Sequence, residues 1–259
     1  MYKVVLFMKK KFMIILGIFA SIIIVGIGVY YALPNKVAVL GYHGVTNDPN
    51  TNNDMQLYVK KFEKQMEYLK RHNYKTLTMD EMKCYMNKKC KIKKNTVLLT
   101  FDDGRLNNLE YALPILKKYN FNAVLFIIGT NVFNDEKGFL KEKDIEKIRK
   151  EYPNIEIASH SYDLHFHEAM QLKYDDYKND FEKQNKWLDT KYYAYPYGDY
   201  NDDMIKVLKE NNYELAFGFG PNKEFRKADN NDNKLVVPRL CINASMPMWK
   251  YKLRLLMPF

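Results

Sequence analysis

At 259 residues with 47% hydrophobic side chains, the chain is long enough to bury a sizeable core and is not a disordered polymer. Its formal charge of +10 is uneven: Lys3, Lys9, Lys10, Lys11 and Lys36 stand in the first 36 residues with no acid, and the remainder holds thirty-six bases against thirty-one acids. No tight Lys/Arg stripe interleaved with aromatics accompanies the excess, which argues against a nucleic-acid partner and for a solvated basic face.

Residues 1–11 read as a basic stub, and residues 12–33 are uncharged throughout. A span of ~20 apolar residues matches the hydrocarbon thickness, and the preceding lysine cluster keeps that end cytoplasmic, so 12–33 is expected to be a transmembrane helix. The run exceeds the core of a cleavable signal, and Tyr30-Tyr31-Ala32 is a poor cleavage site, so an anchor or uncleaved signal is favoured. The domain at 37–259 is then expected outside the cell, held at the cell membrane by a single pass, or secreted if the segment is cut. Three cysteines without a CxxC spacing indicate neither a disulfide framework nor a zinc ribbon, and a bridge between Cys84 and Cys90 stays open.

Beyond the apolar segment, 37–42 reads as a strand ending at His43, followed by a polar loop over 46–54. Val59, Phe62, Met66 and Leu69 recur at steps of three and four and predict a helix over 59–72. A brief strand at 74–78 leads to a helix at 79–86, opened by Thr78 with Glu81 three residues on, a capping-box pattern. Residues 88–95 are a basic connection. The strand at 97–101 then runs straight into Asp102-Asp103-Gly104, which places two carboxylates where the backbone turns.

From there helix and strand alternate: helix 107–119, strand 123–128, helix 141–151, strand 155–159 leading into His160, helix 174–188, strand 192–195 ending at Pro196-Tyr197-Gly198, helix 202–211, strand 213–217 and a last strand at 235–237. Strands separated by helices imply a parallel sheet, and this many units in one domain imply an α/β fold built as one (β/α) barrel with seven or eight parallel strands. Residues 246–259 mix apolar and basic positions in no pattern that places them.

If the strand-end loops share one mouth, it receives His43, Asp102, Asp103, His160, Ser161, His165, Pro196-Tyr197-Gly198 and Arg239. Three of the five histidines lie on these loops. Two neighbouring acids repel unless a cation lies between them or one is protonated. Imidazoles with one carboxylate make a three-ligand zinc site with a position left open, which frees the second acid to act as a base. Five residues separate His160 from His165, about 140° on an α-helix, so the two must converge through a loop, with Ser161 available to bond the bend.

Thr100-Phe101-Asp102-Asp103-Gly104, then His160-Ser161 with His165, then Pro196-Tyr197-Gly198, resembles the polysaccharide deacetylase family, also called the NodB homology domain or carbohydrate esterase family 4. The resemblance covers roughly residues 37–241. It implies a distorted (β/α) barrel, a divalent transition metal, usually Zn2+, and removal of acetyl groups from N-acetylated sugars. It assigns metal ligation to Asp103, His160 and His165, the base to Asp102, and oxyanion or substrate contacts to Pro196 and Tyr197. Most members space the two histidines by four and carry a C-terminal histidine as general acid; this chain has a gap of five and no histidine after His167. Tyr42-His43 resembles the branch that deacetylates poly-β-1,6-N-acetylglucosamine, where an N-terminal histidine is the acid, which assigns that role to His43. The arginine that normally precedes Pro-Tyr-Gly is Ala194 here, and Arg239 is the candidate to replace it and to join the site. The expected partners are an extracellular polysaccharide and the membrane, with the chain a monomer. Peptidoglycan N-acetylglucosamine is the rival substrate, a non-catalytic glycan-binding module the rival class, and a glycoside hydrolase is disfavoured because it has no use for two histidines and a metal.

Overall fold

The computed structural model describes residues 2–32, 35–218 and 226–257. They form two compact units that divide near residue 35. The first is one helix, α1 (Tyr2–Ala32). Among the described residues no helix is long and apolar enough to cross a membrane.

The second unit is built on β1 (Ala38–Tyr42), β2 (Gly44–Thr46), β3 (Gln56–Tyr58), α2 (Val59–Arg71), β4 (Lys75–Thr76), α3 (Met79–Met86), β5 (Thr96–Phe101), α4 (Leu113–Tyr119), β6 (Ala123–Ile127), α5 (Gly129–Phe133), α6 (Glu142–Glu151), β7 (Ile155–Ser159), α7 (Tyr174–Leu188), β8 (Tyr192–Ala194), α8 (Asp202–Glu210), β9 (Leu215–Gly218), β10 (Val237–Pro238), β11 (Leu240–Cys241) and α9 (Met248–Leu256). Strands β1, β5, β6, β8 and β9 are buried at every residue, as expected of parallel strands covered on both faces. Eight strands pair in the order β10, β9, β8, β7, β6, β5, β1, β11, every neighbour parallel, with the two-residue β4 beside β5.

The two ends of that path are consecutive in sequence. Val237 and Pro238 pair with β9, Leu240 and Cys241 pair with β1, and Arg239 lies between them. One extended segment therefore bridges both edges of the sheet and nearly closes it into a barrel, the architecture the alternation predicts.

Helix α3 starts with the expected capping box, the Thr78 side chain accepting from Glu81 N and Glu81 reaching back to Thr78 N. The helix expected at 107–119 opens instead with a π-turn over Asn108–Ala112 before α4 begins. The polar loop after His43 is flanked by the short parallel pair β2 and β3. Residues 248–256, unplaced by pattern, are α9, whose Tyr251 and Leu255 enter the core. Cys84 and Cys90 are joined in a disulfide, with Cα atoms 5.5 Å apart.

Behind the strand ends that carry His43 and Asp102, Tyr42, Phe62 and Phe101 pack ring against ring at 5.2 to 5.8 Å. Such contacts contribute about 0.5–1.5 kcal/mol each beyond area burial and hold both strand ends rigid.

Candidate active site

Register brings the site together. Tyr42 is level with Phe101, so the residues that follow them, His43 and Asp102, leave the sheet side by side, and Asp102 N donates to the Tyr42 carbonyl at 2.9 Å. Ile127 is level with Ser159, so His160 emerges at the next step, its N–H donating to the Ile127 carbonyl at 2.9 Å. Asp103 and Gly104 turn the chain through left-handed backbone, φ 71° and 68°. At Gly104 a Cβ would meet Ile127 Cγ2 at 3.1 Å, so glycine serves both conformation and space there.

The loop from His160 to His165 is irregular rather than helical. Ser161, at φ 73°, accepts from Leu164 N through its hydroxyl at 3.1 Å, the bend-holding role its position suggests. Asp180, from α7, accepts from Tyr162 N at 2.9 Å and Asp163 N at 2.6 Å. Burial raises the Asp180 carboxyl to about 6 against the pull of these two donors. Replacing Asp180 with Ala leaves both N–H groups without that acceptor, so we expect a loss of about 2–4 kcal/mol in urea unfolding.

These turns place one oxygen of Asp103 3.3 Å from His165 Nε2 and 3.7 Å from His160 Nε2. The ligand atoms of all three residues lie within 4.8 Å of one another. His160 Nδ1 is 2.7 Å from the Ala194 carbonyl, which only accepts, so the proton sits on Nδ1 and the Nε2 lone pair faces the carboxylate. Burial, helped by His165, lowers the His160 pKa to about 4 despite the attraction of Asp102 and Asp103. A neutral imidazole and a carboxylate therefore present lone pairs to a shared point, which a cation would stabilise. The other Asp103 oxygen is taken by Arg105, whose Nη2 and Nε lie 2.8 and 3.0 Å away. Burial alone would raise the Asp103 carboxyl, but His165, His160, His43 and Arg105 together hold it well below the ordinary range.

Asp102 points elsewhere. Its Oδ1 accepts from Arg239 Nη1 at 2.7 Å, and the arginine side chain is 0% exposed. Burial again pushes the carboxyl up, and Arg239, His160 and His43 outweigh it, so Asp102 titrates below the ordinary range and stands as a carboxylate. Arg239 thus steadies Asp102 from the closing segment of the barrel.

A cavity of about 420 Å³ is lined by His43, Asp102, Asp103, His160, His165 and Tyr197 together with Met55, Arg105, His167, Asp199 and Cys241. Of the residues singled out in sequence, Arg239 and Pro196 are buried and are not among those that line the cavity. His43 is at the wall, its carbonyl accepting from Asn108 Nδ2 at 2.7 Å. Its Nδ1 is buried without a hydrogen-bond partner among the described residues. Tyr197 has left-handed backbone, φ 57°, and its ring stacks on His167 at 4.2 Å and leans on His165 at 4.7 Å. His167 and Arg105 went unassigned in sequence; the signal for both was proximity, two residues after His165 and two after Asp103.

The polysaccharide deacetylase family profile matches residues 89–216. The chain is 30% identical over 235 residues to the poly-beta-1,6-N-acetyl-D-glucosamine N-deacetylase of Staphylococcus aureus, covering 81% of this chain and 79% of that protein. Among solved structures, the Streptococcus pyogenes deacetylase PplD in complex with acetate superposes with a TM-score of 0.74 at 23% identity, over 86% of this chain and 99% of that one. IcaB from Ammonifex degensii does so with a TM-score of 0.72 at 22% identity, over 87% and 99%. At these identities the two structures speak for the fold.

Proposed function

The chain belongs to the polysaccharide deacetylase family and is a hydrolase of amide bonds, and from that premise we propose that it removes N-acetyl groups from an extracellular poly-β-1,6-N-acetylglucosamine-like polymer in a metal-dependent reaction. The observation that carries the reading is the convergence of Asp103, His160 and His165, with Asp102 held beside them and His43 on the same cavity. The substrate preference draws on the staphylococcal relative's activity, the five-residue histidine gap and the placement of His43.

The donor set fits a divalent ion such as Zn2+: one carboxylate oxygen and two imidazole Nε2 atoms, one of them oriented by an Nδ1–H to a backbone carbonyl. Asp103, His160 and His165 would hold the ion, which when bound supplies Lewis acidity that polarises a carbonyl and lowers the pKa of a water. Asp102, kept ionised by Arg239, takes a proton from the water that attacks the acetyl carbon. The backbone N–H of Tyr197, a residue of the cavity wall, is assigned by the family resemblance to the charge that develops on the acetyl oxygen. His43 gives a proton to the sugar nitrogen as the C–N bond breaks, so that acetate and an amine leave. His167 and Tyr197, stacked at the cavity wall, offer aromatic faces to the flat side of a pyranose ring.

Location is part of the same proposal. Residues 12–33 carry no charge and follow Lys9-Lys10-Lys11, which supports a membrane anchor with the deacetylase domain outside the cell. The test of function is acetate release from purified poly-β-1,6-N-acetylglucosamine and from purified cell wall. The reading expects faster release from the first with no shortening of the polymer. Release from cell wall alone would reassign the substrate, and none from either would remove the enzymatic reading.

A further inference from the structure

Helix α9 has two apolar faces, and the fold uses only one. At ~100° per residue, Tyr251 and Leu255 share the face that enters the core, while Trp249, Leu253 and Leu256 fall within an arc of ~60° on the opposite side. That outer face is open: Trp249 is 66% exposed, Leu253 45% and Leu256 52%. The other exposed large apolar side chains described in the domain, Met55, Phe133 and Phe166, stand singly on separate segments. Lys252 flanks the stripe on one side and Lys250 on the other, both exposed, and the helix contains no acid. A tryptophan and two leucines bordered by lysines on a helix lying along the surface suit the boundary between headgroups and acyl chains of an anionic bilayer.

The position of the helix agrees with that partner. The carbonyl of Leu255 accepts from Lys227 Nζ at 2.7 Å, and the next residue, Ala228, pairs with Val37 through two backbone hydrogen bonds of 2.9 and 2.8 Å. The end of α9 thus lies near the point where the chain enters the barrel after the apolar segment at 12–33.

We propose that the outer face of α9, formed by Trp249, Leu253 and Leu256 with Lys250 and Lys252, rests on an anionic lipid surface and docks the deacetylase domain there. The anchor reading supplies the tether, and the α9 contact is a second, separate attachment.

The chain has two tryptophans, so a full-length Trp187→Phe variant leaves Trp249 as the only indole. It is reconstituted into phosphatidylglycerol-containing vesicles with and without bromines on the upper acyl carbons. A ring ~5–10 Å below the headgroups is within reach of the bromines, so the expected result is roughly a twofold loss of emission. Leu253→Glu with Leu256→Glu in the same background should abolish that loss while leaving acetate release from a short soluble substrate unchanged. Emission indifferent to bromine in vesicles that retain the protein overturns the proposal and leaves the anchor standing. Quenching at neutral pH with release of the protein by alkaline carbonate supports the α9 face and removes the anchor. Emission that instead tracks protein concentration assigns the face to a second copy of the chain and overturns the lipid reading.

Discussion

Asp102→Asn is expected to slow acetate release by on the order of 10² or more while the protein still binds its metal ion. Asparagine keeps the shape and can still meet Arg239 through its carbonyl oxygen, but it cannot take a proton from water. The loss corresponds to at least about 2.7 kcal/mol of transition-state stabilisation. Asp102 is suited to the role because its oxygen lies against Arg239 rather than among the imidazoles, whereas Asp103 divides its two oxygens between Arg105 and the histidines. Steady-state acetate release with metal content measured on the same sample checks this. Unchanged turnover would remove Asp102 as the base.

Arg239→Met carries the second large effect. The arginine is wholly buried and its bond to Asp102 is 2.7 Å long, so the substitution leaves a carboxylate in a low-dielectric site without its nearest charge. Breaking a buried pair on one side costs about 3–5 kcal/mol, readable in urea unfolding. Its effect on the pH profile is more diagnostic. Burial raises the Asp102 pKa and Arg239 is the first of the charges that lower it, so removing the guanidinium lets burial prevail and the carboxyl moves up. Activity that needs the carboxylate is lost as pH falls through that pKa, so the acid limb of the rate profile should move to higher pH. A variant that is less stable but keeps the wild-type acid limb would make Arg239 structural and nothing more.

The sequence made the barrel legible because a parallel strand covered on both faces reads as a largely apolar run, and β1, β5 and β7 lead directly into His43, Asp102 and His160, while Gly129 follows shortly after β6. That rule puts His43, Asp102, Asp103 and His160 at strand ends, and the resemblance to the deacetylase family assigns their roles. What escaped it had no periodic signal to offer. Strands β10 and β11 are two residues each, and their significance lies in pairing with opposite edges of the sheet, a non-local fact. Arg239 is named in sequence as the stand-in for the arginine missing at Ala194, but a long charged side chain in an otherwise apolar stretch gives no sign of its full burial; the structure buries it against Asp102, where the carboxylate receives it. Helix α9 was obscured by its second apolar face, which blurs the amphipathic pattern that made α2 plain. The π-turn over Asn108–Ala112 is equally silent in sequence, yet it brings Asn108 to the His43 carbonyl.

The central claim is that Asp103, His160 and His165 hold one divalent ion. Calorimetric titration of the chelator-stripped, full-length protein with Zn2+ tests it directly, with His165→Ala alongside. The account predicts one ion per wild-type chain and affinity weakened at least tenfold in the variant. Failure of the wild-type chain to bind stoichiometrically, or equal binding by the His165→Ala chain, would contradict it.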